Sequence, residues 1–164
     1  GAELPGLLAA FGASSTLADG ELTVDGGEGV LGGGRLTPVE LDLSEAGELA
    51  PTLVALAALA AGPSRFTGIG HLRGHETDRI AALVADLRAL GAGAEELPDG
   101  IAVEPRPLHG GDWGAYQDHR MATSGALLGL AVPGVRVDDI GSTSKTLPEF
   151  AALWARMLAV PGAA

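Results

Sequence analysis

The chain has 164 residues, a length that suits one domain of ordinary size. It carries 21 acidic and 10 basic residues, and the net charge of −11 argues against nucleic acid and anionic membrane as partners, because both would be repelled. Cysteine is absent, which excludes disulfides and thiolate chemistry, and no apolar run reaches the roughly 18 residues that a membrane span needs.

The first predicted elements are a helix at residues 4–11 and a hairpin that turns at Asp19-Gly20. A glycine-rich loop follows at residues 26–34. Because it lacks the Gly-Lys-Ser/Thr ending of a phosphate-binding loop, we interpret it as flexible chain. An alanine-rich helix is predicted from Glu48 through Leu59, and a strand follows it.

The strongest helical pattern comes next and places five apolar side chains on one face: Ile80, Leu83, Val84, Leu87 and Leu90. Gly91 is a natural end for this helix, and a second hairpin is predicted to turn at Asp99-Gly100. Asp118 is a plausible N-cap for a further helix through Leu130.

The last predicted helix opens with a capping box formed by Thr146 and Glu149. Its apolar pattern predicts a buried face made of Phe150, Leu153, Trp154 and Leu158.

Two stretches of the chain repeat. Residues 11–24 parallel residues 90–103 at a displacement of about 80, and residues 48–70 parallel residues 119–141 at a displacement of 71. Repeats of this length indicate one supersecondary unit that is used more than once. The pattern within it predicts strand, helix, strand, helix and then two strands, which is an α/β architecture.

Three polar clusters lie at predicted helix starts, at residues 74–80, 118–121 and 142–146. They carry Arg79, Arg120 and Lys145, and Lys145 is the only lysine of the chain. Unpaired N–H groups make a helix start positive, so a cation there is disfavoured unless an anion compensates it. The three clusters therefore predict one shared anion-binding site.

The ordered set of clusters resembles the C-terminal part of the EPSP synthase family of enolpyruvyl transferases. The family's Lys-Glu-Thr-Asp-Arg is similar to residues 75–79, its Asp-His-Arg-Met to residues 118–121, and its Ser-Lys-Thr to residues 144–146. The resemblance implies an inside-out α/β barrel domain built from repeated βαβαββ units, with helices inside and sheets outside. It also implies transfer of the enolpyruvyl group from phosphoenolpyruvate to the 5-hydroxyl of shikimate 3-phosphate.

Residue roles follow from the resemblance. The catalytic positions are Glu48, which accepts the hydroxyl proton, Glu76, which handles the methylene proton, and the neighbouring His119. The positions that the resemblance implies for binding phosphoenolpyruvate are Arg79, Arg120 and Lys145, since guanidinium forks hold carboxylate and phosphate in fixed orientation. The positions that it implies for binding shikimate 3-phosphate are Glu48, His71 and His75.

Three of these positions depart from the family pattern. Glu48 replaces the usual Asp, His75 replaces a Lys found in many relatives, and His71 replaces a frequent Asn. The carboxylate at position 48 is retained on a longer arm.

The resemblance further implies that residues 1–164 are one globular domain, the C-terminal portion of a longer cytoplasmic enzyme. The rest of that enzyme would be its partner, no metal or organic cofactor is expected, and the fragment alone is expected to be inactive.

Four alternatives stay open at this point. They are a relative that uses UDP-N-acetylglucosamine as acceptor, a non-catalytic anion-binding domain, a dinucleotide fold, and a zinc site. The dinucleotide hypothesis rests on glycines 68, 70 and 74, whose spacing is off by one. The zinc hypothesis rests on His71, His75, Glu76 and His119.

Overall fold

A computed structural model describes residues 3–159, which form five α-helices and eight strands. In chain order they are α1 Leu4–Ala10, β1 Ser14–Ala18, β2 Glu21–Asp25, β3 Glu40–Asp42, α2 Ala50–Ala57, β4 Ser64–Thr67, α3 Arg79–Ala89, β5 Gly93–Leu97, β6 Gly100–Glu104, β7 Gly111–Trp113, α4 His119–Leu128, β8 Val135–Val137 and α5 Phe150–Ala159. Short 3₁₀ helices at Gly47–Leu49, Gly70–Gly74 and Ile140–Lys145 precede α2, α3 and α5.

The described strands form three separate sheets. One has four strands in the order β3-β4-β6-β5, and β1-β2 and β7-β8 are two-stranded. The pairs β3-β4 and β7-β8 are parallel, with Glu40 opposite Arg65 and Gly111 opposite Val135. The remaining pairs are antiparallel. Each parallel pair is joined through one helix, as a parallel connection requires.

The element order shows the predicted repeat. One complete unit runs β3-α2-β4-α3-β5-β6, and β7-α4-β8 repeats its first half. The last half of a unit is seen at the start of the described chain as α1-β1-β2. Both helix-to-hairpin junctions use a glycine at φ +102°, Gly12 after α1 and Gly91 after α3, a conformation that side chains rarely adopt.

The helices α2, α3 and α4 each contribute buried residues to the interior. α2 buries six of its eight residues, four of them with the small or branched side chains of alanine and valine. Such thin helices allow close packing against their neighbours. The indole of Trp113 on β7 lies directly against Gly125 of α4, where a side chain would collide with the ring, and it donates a hydrogen bond of 2.8 Å to the Met121 carbonyl. This contact fixes α4 on β7 and therefore fixes the start of α4.

Several predicted boundaries were wrong. Glu48 lies in a 3₁₀ turn, and α2 begins only at Ala50, with Pro51 in its first turn. His75 and Glu76 precede α3, because Asp78 adopts an extended conformation and caps the helix through the Ala81 N–H. The second hairpin turns one residue earlier than predicted, since Leu97 pairs with Gly100.

The C-terminal prediction was also wrong in part. Lys145 ends a 3₁₀ helix and does not begin an α-helix, since α5 starts at Phe150. None of the α5 residues described is buried; Leu153 and Leu158 are 38% and 48% exposed. Within residues 3–159, no helix combines the length and apolar character that a membrane crossing requires.

Candidate functional site

A buried ion pair joins the starts of α3 and α4. Arg79, the first residue of α3, is 2% exposed, and its Nε and Nη2 donate to the two carboxylate oxygens of Asp118 at 2.6 and 3.3 Å. Asp118 is fully buried and also caps α4 by accepting from the N–H groups of Arg120 and Met121. One carboxylate therefore fixes both a helix start and a guanidinium.

The two charges hold each other ionised. Burial would raise the pKa of Asp118, but its hydrogen bonds from Arg79 and from the α4 backbone outweigh burial and lower it. Burial likewise would lower the pKa of Arg79, and Asp118 and Glu48 raise it instead. The guanidinium consequently stays charged in an almost dry position.

Glu48 lies between the two arginines that the family resemblance assigns to phosphoenolpyruvate. Its carboxylate is 3.3 Å from Arg79 Nη1 and 2.5 Å from Arg120 Nε, and its other oxygen is 3.5 Å from His75 Nδ1. The Nε–H of Arg120 is not directed at Glu48 Oε2, so this contact is an ion pair without hydrogen-bond geometry. Burial acts to raise the pKa of Glu48, and the positive charges of Arg79 and Arg120 overcome it and lower the pKa.

Glu76 has an equivalent place among basic side chains. Its carboxylate is 3.4 Å from Lys145 Nζ, 3.6 Å from Arg79 Nη2 and 3.7 Å from His119 Nδ1. Lys145 also donates to the Gln117 carbonyl at 2.7 Å. The three cations at positions 79, 120 and 145 thus come from three separate chain segments and surround two carboxylates.

The shikimate-side candidates lie beside this cluster. His75 Nδ1 is 3.2 Å from Arg79 Nη1, and the ring of His75 is 5.7 Å from the ring of His71. His71 lies over Gly47, where a side chain would be 2.7 Å from its Nε2. Among the predicted site residues, His71 is therefore at the edge, adjacent to the Glu48 turn.

Capping carboxylates already accept hydrogen bonds from some of the N–H groups at the starts of α3 and α4. Asp78 accepts from the Ala81 N–H at α3, and Asp118 accepts from two N–H groups at α4. An anion at this site would meet side chains of the cluster, because the capping carboxylates already occupy those backbone donors.

A short backbone segment connects these groups. Tyr116 and Gln117 precede Asp118 and have positive φ values of 53° and 57°. The Tyr116 hydroxyl donates to Asp86 Oδ1 on α3 at 3.0 Å. Asp86 is 6% exposed, and burial raises its pKa to about 6.

A cavity of about 480 Å³ opens beside this segment, lined by Glu76, Thr77, Tyr116, Gln117 and Lys145. A larger cavity of about 750 Å³ lies against β5 and β6 and contains none of the predicted site residues. We therefore place the candidate site at the smaller cavity, which Glu76 and Lys145 of the charged cluster line.

The predicted zinc set does not assemble. Within the described chain, the residues whose ligand atoms could share one ion are Glu76, Asp118 and His119, with those atoms within 4.8 Å of one another. Neither His71 nor His75 joins them, and Asp118 is already bound to Arg79 and to the α4 backbone. The donor set does not fit zinc.

Sequence reasoning missed three contributors to the site. Asp118 was recognised as a cap and as part of a family motif, but not as the partner of Arg79, which is 39 residues away. Gln117 acts through its carbonyl, which no side-chain pattern reveals. Asp86 did leave a signal, since it is a charged residue on the buried side of α3, next to Leu83 and Leu87.

Comparison with known proteins finds one family model, EPSP synthase (3-phosphoshikimate 1-carboxyvinyltransferase), which matches residues 7–154. A curated 3-phosphoshikimate 1-carboxyvinyltransferase from Kocuria rhizophila is 58% identical over 156 residues, which is 95% of this chain and 34% of that protein. The chain thus spans about a third of the length of this relative.

Solved structures agree on the fold. The EPSP synthase from Acinetobacter baumannii superposes with a TM-score of 0.74 at 26% identity, over 92% of this chain and 37% of the other. The enolpyruvyl transferase NikO from Streptomyces tendae gives a TM-score of 0.70 at 21% identity, over 94% and 34%. The mixed α/β arrangement of the chain is therefore the one that these proteins contain.

Proposed function

Because the chain belongs to the EPSP synthase family, we propose that it is the C-terminal, phosphoenolpyruvate-binding portion of an enzyme that transfers an enolpyruvyl group to shikimate 3-phosphate. The observation that carries the proposal is the convergence of Arg79, Arg120 and Lys145 around Glu48 and Glu76. The 58% identity to a 3-phosphoshikimate 1-carboxyvinyltransferase favours shikimate 3-phosphate over UDP-N-acetylglucosamine as the acceptor.

The reaction joins the 5-hydroxyl oxygen of shikimate 3-phosphate to C2 of phosphoenolpyruvate. In our proposal Glu48 takes the hydroxyl proton, and Glu76 gives a proton to the methylene carbon, producing a tetrahedral intermediate. Glu76 then takes one proton back from that carbon as the bond from C2 to the phosphate oxygen breaks. Phosphate leaves, and the enolpyruvyl ether remains.

The cations hold the substrate and its developing charge. Arg120 and Lys145 are 34% and 47% exposed, so both can reach a ligand directly. Arg79 is 2% exposed and is occupied by Asp118 on two donors. Its remaining N–H donors, on Nη1 and Nη2, lie near Glu48 and Glu76. They reach an anion only when one of these carboxylates moves aside. His119, near Glu76, and the pair His71 and His75, near Glu48, would orient the two substrates.

We expect the chain to bind phosphoenolpyruvate without turning it over, because it spans about a third of its relative's length and lacks the rest of the proposed enzyme. Titration followed by calorimetry should show that Arg120→Ala weakens binding by about 10- to 100-fold, the scale of a lost hydrogen bond to a charged group. Glu48→Gln should strengthen it by about fivefold, because a negative charge between two cations is removed.

Each variant has a matched control. Arg136 is 71% exposed and pairs with Asp112 at the surface, so Arg136→Ala should leave affinity unchanged. Glu45 is exposed, lies three residues before Glu48, and forms no ion pair within residues 3–159, so Glu45→Gln should also be neutral. Equal effects of Arg120→Ala and Arg136→Ala on affinity would show that the anion does not bind at this cluster. Rapid phosphate release by the chain alone would contradict the fragment interpretation.

A further inference from the structure

The turn before Asp118 is conformationally strained. Tyr116 and Gln117 are successive non-glycine residues in the left-handed region, with φ values of 53° and 57°. Each such residue costs roughly 1–2 kcal/mol, so a pair persists only where the surroundings hold it. The turn lies in the same segment as two groups of the charged cluster, the Gln117 carbonyl and the Asp118 carboxylate.

Contacts on both sides hold this turn. The Tyr116 hydroxyl donates to Asp86 at 3.0 Å, and the Ala115 N–H donates to Asp138 at 2.8 Å. Gly114 leaves room for the tyrosine ring, because a side chain there would lie 2.5 Å from Tyr116 Cε2.

Helix α3 holds the segment at two points. Arg79 and Asp86 are seven residues apart, which is two helical turns, and so they face the same side. Arg79 binds Asp118, and Asp86 binds Tyr116. Gln117 lies between these two attachments, and its carbonyl accepts from Lys145 at 2.7 Å.

A contribution to stability does not explain why an aspartate occupies position 86. It is 6% exposed, and its Oδ2 has no hydrogen-bond partner within the described chain. A buried carboxylate with an unpaired oxygen is destabilising, and an apolar residue would suit this face of α3 better. Its single side-chain partner is the hydroxyl of Tyr116, which lines the cavity of the candidate site.

We propose that Asp86 and Tyr116 are positioning residues, which hold the left-handed turn that directs the Gln117 carbonyl to Lys145 and thereby sets Lys145 beside Glu76. The expected effect on ligand affinity rests on the proposed anion site, but the effect of the turn on Lys145 can be measured without any ligand. The two questions therefore receive separate answers.

The chain offers a selective probe, because Lys145 is its only lysine. Protein grown with isotope-labelled lysine gives one side-chain NMR signal set. In Tyr116→Phe and in Asp86→Leu, which removes the acceptor, this signal should move toward that of free lysine, although Lys145 is hydrogen-bonded to neither residue within the described chain. Asp112→Asn, an equal change of charge on a 75% exposed residue, should leave it unchanged.

Two further readouts separate positioning from general loss of structure. Tyr116 is the only tyrosine, and burial together with Asp86 raises its pKa to about 12. Its ultraviolet titration in Asp86→Leu should therefore move toward the ordinary value of about 10. The double variant should move the Lys145 signal no further than the larger single change, because Tyr116→Phe removes the donor and Asp86→Leu removes the acceptor of the same hydrogen bond.

Affinity for phosphoenolpyruvate should fall about fivefold in each variant, the scale of one lost hydrogen bond. A folded Tyr116→Phe protein with an unchanged Lys145 signal would overturn the inference. Tyr116→Phe decides the question even if Asp86→Leu fails to fold, because it removes only a hydroxyl from a residue that is 42% exposed. If the Lys145 signal moves but the unmodified chain does not bind phosphoenolpyruvate, the positioning role is supported and the proposed anion site is wrong.

Discussion

Asp118→Asn is expected to lower the free energy of unfolding by about 3 kcal/mol. Asparagine caps helices as well as aspartate does, so α4 keeps its N-cap. The loss comes from Arg79, which is 2% exposed and would lack its closest carboxylate. Removing one partner of a buried ion pair costs about 3–5 kcal/mol. The lower end applies because Glu48 and Glu76 also lie 3.3 and 3.6 Å from Arg79.

Urea denaturation of the chain measures this loss as a shift of the midpoint at constant slope. Asp78→Asn is the matched control, since Asp78 also caps a helix but pairs with Arg73, which is 32% exposed. It should cost no more than about 0.5 kcal/mol. Equal losses in the two variants would mean that the buried pair contributes no more than an exposed one.

The same prediction has a pH dependence with a definite sign. The pKa of Asp118 is lowered in the folded chain, whereas an unfolded aspartate has a pKa of about 3.9. Its contribution is therefore complete above that value and is lost as pH falls through the lowered pKa. The difference between the unmodified chain and Asp118→Asn should shrink in acid, and a difference that grows in acid would contradict the assignment.

Glu76→Gln should reduce turnover by about 100-fold or more in the full-length enzyme that we propose this chain belongs to. Glutamine keeps the size of the side chain and can still accept hydrogen bonds from Lys145 and Arg79, so substrate affinity should change little. What it lacks is a proton that can be given to carbon and taken back. Steady-state kinetics in both substrates separates these two effects.

The control and the contrary outcome are equally specific. Glu96 is 43% exposed and pairs with Arg73 at the surface, so Glu96→Gln should retain full turnover. If Glu76→Gln instead preserved turnover and raised only the apparent substrate constants, Glu76 would be a binding residue. Another group, for which His119 at 3.7 Å is the nearest candidate, would then carry the proton.

Local features of the fold could be predicted because their causes are local. The cap at Asp118, the apolar stripe of α3, the glycine that ends it and the repeat all follow from spacing within a few residues or from direct self-comparison. The first residues of the helices were harder to predict, because Asp78 and Pro51 set them and both lie inside stretches with a helical pattern throughout.

The site was only partly predictable for a different reason. Arg79 and Asp118 meet across 39 residues, and Lys145 and Glu76 across 69, so their pairing depends on the complete fold. The family resemblance named the cations, but it gave no sign that Glu48 would lie between two of them. The error at α5 has the same origin, because an apolar stripe shows which face would be buried and not whether anything covers it.

The position of Lys145 has a practical consequence. Its amine is half-exposed at the rim of the cavity beside Glu76 and Tyr116, and the chain has neither a second lysine nor any cysteine. Among the side chains, a reagent that acylates amines would therefore attach a fluorophore at this rim and at no other lysine. An engineered cysteine would accept a second dye independently, so the chain is suited to distance measurements between the site and any chosen surface position.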